Sequence, residues 1–445
     1  MPAVALELND AGLLLLREGE PRPAPESPGV ALFEGQAVVV GAAAAARACL
    51  VPRAVHDRFW DPLGPESLGI HFPPGLRRAD VAHAHLRSLR DALQEPATEV
   101  LLAVPGFWQR PALSLLLSLA RHAGLPVVGL VDAAVAAGAY FARAESFLHV
   151  DITRHRSVLT TLRGGESVER VRTVDADCSG QAAAERLLRE AIARRFVLET
   201  RFDPLHSGAS EQALQDALTG WLAELHREET CPARLRAGRR EHTIELSRRS
   251  LASDLDPLYR TLLAQVAAEA RPSAGPLLVS ARAARLPGLL ERLRTEVRGE
   301  VIELPPDAAV SAALRFRARI RHAGEAVPFV TRLAISESEA DRRPGRRPTH
   351  LMNGGVAHAI GDGIAIGTAP PSGRRGLGLR HAGIAAHHCS LLVEGAEIRL
   401  EVLPGGITLL NGEPAEDRAP LRAGDRLSLG EAGVVLQLVA VEEGP

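Results

Sequence analysis

Lysine does not occur in this 445-residue chain, so all 52 basic residues, set against 54 Asp and Glu, are arginine. Schiff-base chemistry, a lysine nucleophile and the lysine of a phosphate-binding loop are thereby excluded. The four thiols, Cys49, Cys178, Cys231 and Cys389, stand far apart without a Cys-x-x-Cys pair. That spacing suits neither a zinc site nor a disulfide framework and predicts isolated buried thiols. His387 and His388 are adjacent; on a strand they point to opposite faces. His83 and His85, two apart on a predicted helix, do not share a face either. No metal site is expected. A net charge of -2 lacks the basic excess that recruits phosphates, so neither nucleic acid nor a membrane surface is an expected partner.

The elements that must position these residues fall into an α/β pattern over the first 320 residues. Residues 100–104 form a continuous apolar strand, and 111–123 carry Leu113, Leu116, Leu117 and Ala120 at helical spacing before Gly124, a helix-stop residue. A strand at 127–131, an alanine-rich helix at 133–144 and meandering strands at 147–151, 157–162 and 167–174 follow. From 180 to 271 the pattern is helical with one strand near 242–246. Strand and helix then alternate through 277–279, 287–297, 301–304 and 307–320. Residues 337–348 are charged, proline-bearing and without apolar anchors, which predicts a linker. Short alternating strands with glycine turns after it predict a small all-β sandwich. The expected division is 1–325, a linker at 326–348, and 349–445. No internal repeat is visible. The apolar run 37–52 is broken by Arg47 and the first residues carry no basic segment, so neither signal peptide nor membrane span is expected, and a reducing cytoplasm is the expected compartment. The Ala-, Leu-, Arg- and Gly-rich composition has the signature of a GC-rich bacterial genome.

The order of segments resembles the actin-fold nucleotide-binding domain of the DnaK-type heat-shock chaperones. Ala103-Val104-Pro105-Gly106-Phe107-Trp108 resembles that family's V-P-A-Y-F segment, and 132–140 its second connecting helix. Residues 277–287 (LLVSARAARLP) are similar to the adenosine motif L-V-G-G-S-T-R-I-P, and Pro306-Asp307-Ala308-Ala309-Val310 to P-D-E-A-V. The resemblance implies a two-lobed actin-like fold that binds ATP with Mg2+ between two glycine-rich hairpins. The first hairpin corresponds to Glu7-Leu8-Asn9-Asp10-Ala11 and the second to Asp151-Ile152-Thr153-Arg154-His155-Arg156. Neither keeps the glycines whose bare backbone cradles phosphate. Asn9, Asp10, Thr153, Arg154, Arg156, Ser280, Ala281 and Arg282 stand at the nucleotide-binding positions. Arg154 and Arg156 are either side-chain cations for phosphate or a solvated hairpin tip. Asp132 and Asp151 correspond to the carboxylates that arrange magnesium-bound water, or are turn and helix-start residues. The family's catalytic lysine is absent, so weak ATPase activity at most is expected. The chain after the linker is too short for the family's peptide-binding domain and lid.

Residues 349–442 resemble instead a forkhead-associated domain, the sandwich that reads phosphothreonine. Ile364-Ala365-Ile366-Gly367, His387-His388-Cys389-Ser390-Leu391, Thr408-Leu409-Leu410-Asn411-Gly412 and the run 421–430 (LRAGDRLSLG) carry the likeness. The family's phosphate-reading arginine and serine correspond to Thr368 and Ala385, so Arg374, Arg375 and Arg380 are the substitute anion-clamp candidates. His388 matches the histidine that supports the binding loop, and Asn411 belongs to the same candidate surface. Together the two resemblances imply a DnaK-like scaffold or chaperone-like regulator that is non-catalytic or binds ATP weakly, meeting a protein partner through the sandwich. The alternative is an ATP-dependent switch signalling through that sandwich.

Overall fold

In a computed structural model the structure describes residues 3–93, 97–141, 144–177, 179–270, 275–322, 327–335, 347–353, 356–371, 375–379, 381, 383–395, 397–403, 405–410, 413–423, 425–430 and 434–439. The chain forms two compact units, Met1–Ser336 and Glu337–Pro445.

The first unit is mixed α/β. One five-stranded sheet runs in the order Phe329–Val330, Val127–Asp132, Glu99–Val104, Ala3–Glu7, Leu14–Arg17. Its strands are parallel except for the last, which turns back antiparallel on Ala3–Glu7. A six-stranded sheet has the order Val301–Glu303, Leu277–Val279, Ser146–Ile152, Arg156–Arg163, Ser167–Asp177, Arg332–Ala334. In both sheets the first strand of a hairpin also pairs in parallel with a later strand, which pairs in parallel with a third. This repeated arrangement leaves no trace as a repeat in the sequence.

Between the sheets lie two alanine-rich helices, Ala133–Phe141 and Ala308–Arg315. Residues 133–139 are all buried. They share one core with Ala308, Ala309, Ala312, Ala313, Phe147, Leu162 and Leu278. Methyl-sized side chains let helix backbones approach closely, since interaxial distance follows the side chains at the contact. That is the physical use of the small-residue composition.

Two expectations are corrected. Strands Phe329–Val330 and Arg332–Ala334, inside the expected linker 326–348, pair with Val127–Asp132 and Ser167–Asp177 and belong to the first unit. The stretch expected to hold a single strand near 242–246 contains a hairpin, Thr230–Ala237 with Arg240–Ser247. Pro232 obscured its first strand. In a two-stranded sheet every strand has a free edge, where proline is tolerated.

A buried polar knot ties the helix Arg78–Asp91 to the segments around it. His85, fully buried, accepts from Trp60 Nε1 at 3.1 Å through Nδ1, so Nε2 carries the proton and donates to Ser27 Oγ at 2.8 Å. Burial pulls the imidazole down to about 4 from 6.5. The folded chain therefore binds this proton less tightly than the unfolded chain. Stability from His85 is complete above 6.5 and lost as pH falls toward 4, a loss of about 3 kcal/mol. Urea denaturation between pH 7 and 4, followed by tryptophan fluorescence, is expected to show this loss in the wild type and much less of it in His85→Gln. Trp60, Trp108 and Trp221 all lie in the first unit, so the signal belongs to that unit.

The second unit is all-β. A six-stranded sheet (His350–Asn353, Val356–Ala359, Thr408–Leu410, Glu413–Pro414, Arg426–Leu429, Val434–Val439) and a five-stranded one (Gly363–Gly367, Gly376–Gly378, Cys389–Glu394, Glu397–Val402, Ala419–Leu421) contribute to one core. No Phe, Trp or Tyr lies beyond residue 336. The core is accordingly Leu and Ile, with Leu351, Ile366, Leu391, Leu400, Leu427, Leu436 and Leu438 fully buried. Among the described residues of the whole chain no helix is long and apolar enough to cross a membrane.

Candidate functional site

The two hairpin turns singled out in the sequence meet face to face in a groove between the sheets of the first unit. Asn9 reaches across: its Nδ2 donates to Asp151 Oδ2 at 2.9 Å and to the Ile152 carbonyl at 3.0 Å, while its Oδ1 accepts from Ala11 N–H at 3.0 Å. Asp10 Oδ1 accepts the Arg154 N–H at 2.7 Å. A side-chain carboxylate thus occupies a backbone donor of the opposite turn. Thr153 closes its own turn, exchanging hydrogen bonds with Arg156.

Arg154 and Arg156 are neither free cations nor a solvated tip. Arg154 donates to Asp57 at 3.1 Å and Glu185 at 3.2 Å, and Arg156 to Asp61 and Asp175 at 2.6 Å each. Arg156 also lies over the Phe107 ring, 5.4 Å from its centroid. Their side chains are only 15% and 22% exposed. His155 Nε2 donates to the Asp57 carbonyl at 2.8 Å and also reaches the Asp57 carboxylate, 3.4 Å from Oδ1. Burial would raise the Asp57 carboxyl, but the His155 hydrogen bond and the Arg154 charge more than reverse it and hold it well below the usual range.

Deeper in the groove, Arg282 grips Glu7 bidentately at 2.8 and 3.1 Å and donates to the Gly12 carbonyl at 2.9 Å. Burial still raises the Glu7 carboxyl against this pull. Ser280 caps the short helix that carries Arg282, accepting from Ala283 N–H, and Ala281 is buried beside it. Asp132 is a helix-start residue: its Oδ1 accepts from Ala134 and Val135 N–H at 2.9 and 3.2 Å, and its Oδ2 from Arg170 at 2.6 Å. Gly106 allows this approach, because a Cβ there would stand 2.6 Å from Asp132 Oδ2.

What space remains at these positions is small. Two cavities, both lined by Glu7, His149 and Asp151, measure about 20 Å3 each, enough for a single water of the ~10–15 Å3 kind rather than a cofactor-sized ligand of roughly 300–1,000 Å3. Beyond Arg154 the groove widens to about 650 Å3. There Glu26, Asp57, Glu185, Glu211 and Asp216 face Arg154 and Arg189, a field that disfavours an anion.

Sequence reasoning missed the partners Asp57, Asp61, Asp175, Glu185 and Arg170. Each lies in a different element from the group it binds, and no local spacing signals such a pairing. In the second unit, His388 is fully buried; its Nδ1 accepts from Ala385 N–H at 3.1 Å, and its Nε2 donates to the Ile407 carbonyl at 3.1 Å. It ties the 385 segment to the 407 loop. His387 turns instead to Ser390 Oγ at 2.8 Å. Arg375 donates to the Ala359 carbonyl at 3.0 Å. Arg374, Arg380, Asn411 and Cys178 lie outside the described residues. Among those described, no group of three His, Cys, Asp or Glu side chains is placed to hold a metal ion.

Fold and groove together define a mixed α/β unit, two sheets cross-braced by buried ion pairs, followed by an all-β unit. No protein-family model matches the chain, and no curated protein sequence does.

Proposed function

We propose that this chain is a non-catalytic interaction protein: a degenerate DnaK-like nucleotide-binding domain serving as a scaffold or chaperone-like regulator, joined to a forkhead-associated-like module that meets a protein partner. The observation that carries this reading is the cross-braced groove. Phosphate entering between the hairpins would have to displace Asp10 from the Arg154 amide and two carboxylates from each of Arg154 and Arg156. ATP with Mg2+ does not fit the residues present, because the cations and the amide it would need are already paired with carboxylates. The repeated hairpin-and-parallel-strand arrangement of the two sheets supports the actin-like reading. The burial of His388 between two loops supports the forkhead-associated-like one, since it matches the supporting role that resemblance implies.

Thermal unfolding with and without millimolar Mg-ATP, read by tryptophan fluorescence of the first unit, tests the proposal. A ligand at a hundred times its Kd stabilises the native state by about 2.7 kcal/mol. The expected result is an unchanged midpoint. A clear upward shift that disappears in Asp151→Ala would instead favour an ATP-dependent switch.

A further inference from the structure

We infer that Asp10 and the turn 153–156 form a proton-operated latch, in which protonation of the Asp10 carboxyl closes the groove between the two sheets of the first unit and its ionisation loosens it. The inference stands whether or not the groove takes nucleotide.

Asp10 is 4% exposed. Its Oδ1 accepts the Arg154 N–H across the groove, whereas its Oδ2 is buried and has no hydrogen-bond partner among the described residues. An ionised carboxylate with one oxygen unsatisfied and shielded from water is costly, and a protonated carboxyl is less so. The charged surroundings point the same way. Arg154 and His155 face Asp10 from the turn 153–156 and Asp61 from the segment beside it. One step further out, Asp57 and Glu185 hold Arg154, and Asp61 and Asp175 hold Arg156. Counting Asp10, five carboxylates share two guanidiniums and one imidazole. The arginines' charges are already divided among the other four, so Asp10 is the acid least compensated. Its carboxyl is accordingly pushed up to about 6 from 3.8, burial being the largest cause.

A carboxyl raised in the closed state binds its proton more tightly there than in an opened groove, where water reaches Oδ2. Closure is favoured as pH falls below about 6 and weakens as pH rises through it.

Hydrogen exchange of the full chain at pH 5.5 and 7.5, corrected for the intrinsic pH dependence of exchange, reads the latch. Segments 7–12 and 152–156 are expected to lose protection by roughly fourfold at pH 7.5, while the strand Leu277–Val279 does not change. Asp10→Asn, which is neutral at both values, is expected to keep the pH 5.5 protection throughout. Equal wild-type protection at the two pH values overturns the inference, as does a pH response that survives in Asp10→Asn but vanishes in His155→Gln. Should Asp10→Asn fail to fold, the 13C resonance of the Asp10 carboxyl in the wild type decides: a midpoint near 6 supports the latch and one near 4 overturns it.

Discussion

Replacing Arg282 with methionine is expected to destabilise the first unit by about 3–5 kcal/mol at pH 7.5, the range found when one partner of a buried ion pair is removed. Both partners are nearly inaccessible: Glu7 is 4% exposed and the Arg282 side chain 8%. The guanidinium spans both carboxylate oxygens and adds a bond to the Gly12 carbonyl. Without it Glu7 is left as a buried charge with Asp151 close enough to repel it. The loss is expected to shrink at pH 5. In the variant, Glu7 lacks the guanidinium that offsets its burial, so its folded pKa stays raised above the unfolded value and the folded chain gains relative to the unfolded one as protons become available. The double variant Glu7→Gln with Arg282→Met is expected to recover most of the stability, because a neutral pair carries no desolvated charge. Urea denaturation followed by tryptophan fluorescence measures all three. A loss below about 1 kcal/mol in the single variant would mean that water reaches the pair and screens it.

The second large effect is expected from Gly180→Ala. Gly180 opens the helix Gln181–Thr200 with φ of -89°, a conformation open to any residue, so the objection is to volume alone. A Cβ there would stand 2.4 Å from the Thr153 carbonyl oxygen, 2.5 Å from Arg156 N and 2.5 Å from the His155 carbonyl carbon. These are backbone atoms of a turn held by hydrogen bonds from Gln181 and Ala182 and by its own Thr153 to Arg156 closure. They cannot rotate away as a side chain would. Destabilisation of about 3 kcal/mol is expected, at the upper end of overpacking penalties. Gly220, inside the helix Gly208–Arg227, supplies the control: a Cβ there would meet nothing within 4 Å. Gly220→Ala is expected to stabilise by about 0.5–1 kcal/mol through helix propensity. If the two alanines behaved alike, the close contact of helix and turn would be refuted.

Much of the element order was legible because local periodicity reports local structure. The apolar run Glu99–Val104, the leucine spacing of Arg110–His122 and the stop at Gly124, whose φ is +79°, appear in the fold as the pattern implies. The hairpin beginning at Thr230 was less legible, since Cys231, Ala233 and Leu235 make a weak apolar alternation broken by Pro232. The strands near 330 were hidden by their shortness, two and three residues, which only pairing to established sheets makes stable. Of the site, the two turns and Arg282 were visible as positions, but the state of their charges was not. Arg154 and Arg156 could equally have been phosphate ligands or solvated ends.

From the sequence alone came the absence of lysine chemistry, the absence of glycine from the turns at 7–11 and 151–156, an α/β unit ahead of a β unit, and an acidic residue at position 10. These follow from residue identity and short-range spacing, which need no knowledge of contacts. Only the tertiary structure decided where each arginine spends its charge. Asp57, Asp61, Asp175 and Glu185 come from three separate stretches of chain, and Glu7 meets Arg282 across 275 positions. The energy of an ion pair depends on distance and on exclusion of water, both set by how the two sheets pack and neither encoded in any local pattern.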